Sequence, residues 1–187
     1  MKAPMSDVYS PYFEAFPVWL RTLGEDVEEL ASLLDDASLG EEARESVAGG
    51  LNYLFKSLDL IPDGVEHLGY LDDCFVIRVA AELALQAGGD DASTEALRIL
   101  GRLANDAELI HEFLGADASR LVTYVKTLRR GAARGRSVND ILTDDDTRRE
   151  FVQDVKAFCQ SYKNPGLPAE EKSLVKVKAF LDAKLPK

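Results

Sequence analysis

Between Leu71 and Ala87 the chain reads LDDCFVIRVAAELALQA, a run that is apolar on nearly every side once wound into a helix. A helix that is hydrophobic all round is stable in water only when other elements cover all its faces. This run carries Arg78 and Glu82 and falls short of the ~20 apolar residues that span a bilayer, so it reads as the buried centre of a soluble bundle. The rest of the chain must supply the neighbours.

It does so with helical spacing throughout. Leu20, Leu23, Val27, Leu30 and Leu34 form one stripe, after a start signalled by Ser10 with Pro11 at the first helical position; Pro17 is expected to divide off a short leading turn. Ser38 and Glu41 have capping-box spacing and open a helix whose core face is Ala43, Val47, Leu51, Leu54, Phe55 and Leu58. Gly49 and Gly50 inside it each cost about 1 kcal/mol relative to alanine, which implies another helix crossing very close.

After a GGDDAS break, with Ser93 as cap, come Leu97, Leu100, Leu103, Ala107, Ile110 and Leu114, then Leu121, Val125 and Leu128. A short helix over 138–142 follows the loop RRGAARGRS. An aspartate from TDDDTRRE then caps a helix carrying Phe151, Val155, Phe158 and Tyr162, and NPGLP precedes a last one with Leu174, Val177 and Leu181. No segment alternates like a half-buried strand. The fold class is therefore all-α, a compact bundle of roughly seven helices around 71–87.

At 187 residues and 46% hydrophobic content, one domain spanning 1–187 is expected. The opening MKAPMSDVYSPYFEAF has neither a basic n-region nor an apolar h-region, so no export signal is read there. Cys74 and Cys159 match no metal or redox spacing, which fits core positions in a reducing cytoplasm.

The net charge of −11 is uneven: residues 1–92 hold 19 acidic against 5 basic side chains, residues 93–187 hold 14 against 17. That balance excludes general nucleic-acid binding, which needs a broad basic face. It leaves two readings, a basic partner for the first half or mutual neutralisation of the halves within the monomer.

The stretch SLDLIPDGVEHLGYLDD, Ser57 to Asp73, concentrates the chemistry. Pro62 removes a backbone donor and disfavours helix at Ile61, so the preceding helix should end near Leu58 or Asp59. Asp59 and Asp63 can accept backbone N–H groups, Gly64 and Gly69 can supply unusual dihedrals, and the next helix should begin near Tyr70. Asp72 and Asp73 would then face the positive end of its dipole. Leu58, Leu60, Ile61, Leu68 and Leu71 would tuck the bend against the core. Alternatively the four aspartates converge. Two carboxylates about 6 Å apart repel by roughly 3 kcal/mol at an effective dielectric near 20, so a cluster needs a divalent cation, a basic partner or a proton. Oxygen ligands suit Mg²⁺ or Ca²⁺, and His67 would widen the choice toward zinc or manganese; EF-hand spacing is absent.

LNYLFKSLDLIPDGVEHLGYLDDCFVI, Leu51 to Ile77, resembles the YkvA-like bacterial domain of unknown function, marked by a Tyr-Leu stretch, an Asp-Leu-Ile-Pro-Asp turn and a Gly-Tyr-x-Asp-Asp sequence. Asp59, Ile61, Pro62, Asp63, Gly69, Asp72 and Asp73 stand at its characteristic positions. Ser57 and Glu66 replace usual prolines, which implies a looser turn. The resemblance extends from about Ala43 to Gly88. It implies a helix-turn-helix core at 39–90 with a helical extension at 93–185, and brings no activity with it.

Elsewhere, Arg78 needs an acidic partner on its apolar helix, either Glu82 one turn on or an aspartate of the bend. His111-Glu112 lacks the second histidine of a zincin helix, and no nucleophile motif or phosphate loop is present. Arg129, Arg130, Arg134 and Arg136 form the one basic cluster, suited to phosphate, an anionic membrane surface or an acidic protein segment, or else merely solvated. The expected function is that of a non-enzymatic cytoplasmic protein that binds another protein as a regulator or accessory subunit, without a cofactor. The alternative is a divalent-metal-binding protein or metal-dependent hydrolase using Asp59, Asp63, Asp72 and Asp73. Peripheral membrane contact through the arginine loop is a third reading.

Overall fold

In the computed structural model, residues 7–88 and 90–187 are described; the opening Met1–Ser6 and Gly89 of the GGDDAS break lie outside them. Among the described residues there are eight α-helices: α1 Ser10–Ser32, α2 Glu41–Tyr53, α3 Leu71–Ala87, α4 Thr94–Leu114, α5 Ala118–Leu128, α6 Val138–Thr143, α7 Asp145–Ser161 and α8 Glu171–Lys184. The fold is all-α, with one two-residue hairpin, β1 Ala132–Ala133 paired antiparallel to β2 Arg136–Ser137. That hairpin occupies the arginine loop. Its turn, Arg134-Gly135, has φ of 49° and 76°, the pairing of positive dihedrals that two-residue hairpins favour.

As its composition demands, α3 is the centre: twelve of its residues are buried, and α2, α4, α1 and α5 pack on it. The apolar stripes of α4, α5, α7 and α8 close the same core, which runs from Tyr12 to Leu185. The two glycines of α2 mark its tightest crossings. A Cβ at Gly50 would lie 2.5 Å from the Ala80 Cβ, and one at Gly49 would lie 3.0 Å from the Leu128 backbone. Ser93 caps α4 by accepting the Ala96 N–H at 3.1 Å, and Asp144 caps α7 by accepting from Asp146 and Thr147.

Several local expectations are corrected. Pro17 does not divide α1, which runs through it, because Tyr12, Phe16 and Trp19 on either side pack into one aromatic cluster with Phe75 and Phe113. That packing offsets the ~3 kcal/mol a helical proline costs. Ser38 does not cap α2, whose N-cap is Gly40. Its hydroxyl donates to Asp36 and accepts the Ser93 N–H at 2.7 Å, tying the α1–α2 connection to the start of α4.

Helix α2 ends at Tyr53, earlier than Pro62 alone requires, in three tightened turns from Leu54, Phe55 and Lys56 to the carbonyls three residues before. Leu58 is consequently thrown outward at 82% exposure, while Leu60, Ile61, Leu68 and Leu71 are buried as expected. Leu97 also lies outside the core, one step off the buried face of α4.

Candidate functional site

The bend from α2 to α3 is built around one hydroxyl and one carboxylate. Tyr53, the last residue of α2, donates its phenolic hydrogen to Asp72 Oδ2 and accepts the Leu60 N–H at 2.7 Å. Asp72, in the first turn of α3, also accepts the Ile61 N–H at 3.2 Å. Both backbone donors just before Pro62 are thus satisfied inside the core by the two helices the bend connects. The glycines work differently from expectation. Neither Gly64 nor Gly69 has positive φ; Gly69 is needed because a Cβ would meet the Asp63 backbone at 2.4 Å. The positive φ of the bend, 65°, falls on His67, whose Nδ1 donates to the Pro165 carbonyl at 2.8 Å.

Asp59 and Asp63 accept no backbone N–H and form no ion pair among the described residues; Asp59 is half-buried and Asp63 is exposed. Asp73 is 3% exposed in the first turn of α3, and its own backbone N–H bonds its carboxylate. Asp72 Oδ1 is sealed from solvent without a partner. Burial raises all four, and repulsion from neighbouring acids adds to it at Asp59, Asp72 and Asp73. Asp59 is pushed up to about 6 by burial and the charge of Asp63, Asp72 to about 7 by burial, and Asp73 well above the usual range by burial with Asp72, Asp59 and Asp63 near it. Burial together with these acids also raises Tyr70, Tyr124 and Tyr162.

The four aspartates therefore gather at one end of the bundle, with Asp72 already committed to the backbone. They do not meet at a point: among the described residues no group of three or more His, Cys, Asp or Glu is placed to hold one metal ion. Two hollows flank this end. One, of about 450 Å³, lies between Phe55, Lys56, Leu58 and the hairpin residues Ala132 to Gly135. The other, of about 330 Å³, is lined by Asp63, Tyr70, Arg134, Asp154, Phe158 and Ser161 among others.

The arginines of the hairpin segment have distinct surroundings. Arg129 pairs with Glu42 at 2.7 Å, Arg130 with Glu45 at 3.3 Å and Arg136 with Asp154 at 2.6 Å. Arg134 has no carboxylate in ion-pair range among the described residues and lies 4.8 Å over the Phe55 ring. The same pattern extends across the molecule. Arg102 and Arg98 pair with Asp26 and Glu29, and Arg148 with Asp35, so arginines of the second half neutralise acids of the first.

Arg78 pairs with neither Glu82 nor an aspartate of the bend. Its guanidinium bonds Asp26 at 2.9 Å and Asp106 at 3.0 Å and lies 4.4 Å over Trp19. On α3 the bend aspartates and Arg78 point toward different neighbours, and α1 and α4 bring Asp26 and Asp106 to it. Glu82 instead accepts from His111 Nε2 at 2.9 Å. Among the residues sequence reasoning gave no role in a site, Tyr53 was signalled by the Tyr-Leu stretch and Tyr70 by the Gly-Tyr-x-Asp-Asp sequence; Lys56 carried no signal of its own.

Among the described residues no helix is long and apolar enough to cross a membrane. No curated protein matches the chain, and neither does any solved structure. A family model does match over residues 44–78, most of α2, the whole bend and the first half of α3. That segment, with its Tyr53–Asp72 clasp and its buried carboxylates, is similar to the family described as Protein of unknown function (DUF1232), in keeping with the YkvA-like resemblance.

Proposed function

We propose that the chain is a non-enzymatic cytoplasmic protein that binds another protein at the end of the bundle where the bend meets the hairpin. The observation that carries this reading is Leu58, a large apolar side chain 82% exposed in a bend whose Leu60, Ile61 and Leu68 are buried, at the edge of the hollow shared with Lys56 and Arg134. Lys56 lies over the Tyr124 ring and Arg134 over the Phe55 ring, neither with a carboxylate in ion-pair range among the described residues, whereas the other three arginines of the cluster are ion-paired. An apolar anchor between two cations outside ion pairs suits an acidic segment that inserts one apolar side chain. Arg134 also sits at a left-handed position where asparagine or glycine is easier, so its side chain is retained at some cost to the hairpin. A reducing compartment suits the free thiols of Cys74 and Cys159.

The test is capture of a stoichiometric partner from a lysate of the source cell, with Leu58→Glu and Arg134→Gly baits beside the native chain. A partner retained by the native chain and by Arg130→Ala, and lost with both hairpin-side variants, supports the reading. No partner, or one indifferent to Leu58 and Arg134, overturns it.

A further inference from the structure

We propose that the partner's acidic segment docks as an added strand, pairing its backbone with the free edge of β1 in the hollow of about 450 Å³ that β1 forms with Phe55, Lys56 and Leu58. This rests on the docking reading above and gives it a partner class: an extended peptide with one apolar residue between two acids.

The first observation is where the backbone groups of β1 point. Ala132 stands opposite Ser137, and Ala133 opposite Arg136. Next along the ladder, the Val138 N–H donates to the Gly131 carbonyl at 3.1 Å, so those two residues form a hydrogen-bonded pair. Bonded and unbonded pairs alternate in an antiparallel ladder, which leaves Ala132 and Ser137 unbonded, with their N–H and C=O groups turned away from each other. Ser137 uses its outward N–H within the chain, donating to the Asp140 carboxylate at 3.1 Å. Ala132 has no such neighbour. Its N–H and C=O make no hydrogen bond with any described residue, and its side chain is exposed.

The opposite wall of the hollow repeats the pattern. The Lys56 N–H still donates to the Tyr53 carbonyl, and the Leu60 N–H is taken by the Tyr53 hydroxyl. Between them, Ser57, Leu58 and Asp59 donate no backbone N–H to any described residue. Backbone groups outside hydrogen bonds of the chain thus border the hollow on both sides, satisfied by water until another chain takes its place. Nor does β1 carry a charge or a proline, residues that keep a further strand off an exposed edge.

The side chains around the hollow select the occupant. Lys56 stands on the wall of the bend and Arg134 on that of the hairpin, with Leu58 exposed beside them. Alternate side chains of a strand share one face, so the pattern acid-x-apolar-x-acid sets an apolar side chain against Leu58 and offers one carboxylate to each cation. Main-chain pairing then supplies affinity and the alternation supplies specificity. A helix presents no spare backbone groups along its length and leaves the edge of β1 unmet.

The experiment is a fluorescence-anisotropy titration of the full chain with the fluorescein-labelled peptide Thr-Glu-Thr-Ile-Thr-Glu-Thr-amide. Saturable one-to-one binding is expected, with slowed hydrogen exchange at the Ala132 amide in the complex. The same peptide methylated on its central backbone nitrogens is expected to bind about ten-fold or more weakly. Ala132→Pro removes the outward N–H and no ladder bond, a change that edge strands tolerate, and is expected to bring a similar loss. Ala132→Val keeps the N–H and is expected to bind like the native chain. Urea midpoints show whether Ala132→Pro is folded; if it is not, the methylated peptide on the native chain decides. Leu58→Glu and Arg134→Gly weaken binding if the peptide sits on the docking surface. Binding lost with those two variants but indifferent to methylation and to Ala132→Pro overturns strand addition and leaves the docking reading standing. Absence of saturable binding also overturns strand addition, while the docking reading answers to the lysate capture.

Discussion

Tyr53 and Asp72 stand nineteen positions apart and share one hydrogen bond at the heart of the family segment, and through it they hold the backbone of Leu60 and Ile61. The clasp explains why a tyrosine, an Ile-Pro pair and an aspartate occur together: the proline ends regular hydrogen bonding, and the other two residues replace what it removes. Tyr53→Phe deletes a donor to Asp72 and the acceptor of the Leu60 N–H in a site closed to water. Leaving two buried groups unsatisfied is expected to cost about 2–4 kcal/mol, read as a lower urea midpoint at unchanged m-value. A loss below about 0.5 kcal/mol would mean that water or a rearranged bend takes over both bonds.

The pH dependence of stability follows from the same end of the bundle. Asp59, Asp72 and Asp73 are raised above the unfolded value of 3.8, so the folded chain binds protons that the unfolded chain releases. Their contribution to stability is fully present below about pH 4; that of Asp59 and Asp72 is lost as the pH climbs through about 6 to 7, and Asp73 acts in the same direction. Asp36 acts oppositely: hydrogen bonds from Ser38 and Ser93 lower it, and its contribution fades as the pH drops below 3.8. Stability is therefore expected to peak in mild acid, at about pH 4 to 5, and to decline toward neutrality. Asp73→Asn is expected to raise stability at neutral pH by about 1–3 kcal/mol and to flatten that decline. Urea midpoints across the pH range check both.

Gly50 and Ala80 provide a separate test of packing. A methyl at position 50 would gain roughly 1 kcal/mol of helix propensity. It would also meet the Ala80 Cβ at 2.5 Å inside the closest helix crossing, and overpacking of that kind costs about 1–3 kcal/mol. Gly50→Ala is expected to be destabilising on balance, and Ala80→Gly added to it should recover the loss. A double-mutant cycle with a coupling near zero would show that the crossing gives way instead.

What was legible in the sequence is what period and chain punctuation encode. The central helix, the caps at Ser93 and Asp144 and the close approach at Gly49 and Gly50 were readable because each is local or rests on a residue with few alternatives. Leu58 and Arg78 were not. Leu58 fits the helical stripe, and only the Tyr53–Asp72 clasp, a contact between distant positions, ends the helix before it. Arg78 has a plausible acid one turn away, and the partners that win come from α1 and α4, whose placement no spacing reveals. The bend aspartates fell between the two readings offered for them: Asp72 and Asp73 stand in the first turn of α3 as the scaffold reading expected, whereas Asp59 and Asp63 accept no backbone N–H among the described residues.

Arg78 is the case where charge, burial and stacking can be separated. Its guanidinium is 1% exposed, joins Asp26 of α1 to Asp106 of α4, donates to the Cys74 carbonyl and lies over Trp19. Arg78→Met keeps much of the volume over Trp19 but leaves Asp26, itself 2% exposed, with Arg102 and the Thr22 hydroxyl as its remaining partners. Removing one side of a buried pair typically costs about 3–5 kcal/mol, and the surviving Arg102 contact should hold this loss near the lower end. Arg78→Lys is expected to fare little better, because a single ammonium cannot reach two carboxylates and stack on an indole at once. Adding Asp26→Leu to Arg78→Met removes the stranded charge, so the double variant should recover at least about half of the loss in chemical denaturation. Failure to recover would mean that Asp26 matters mainly through Arg102 and Glu29, and that the ion network on the α1–α4 face, not the buried arginine, holds those helices together.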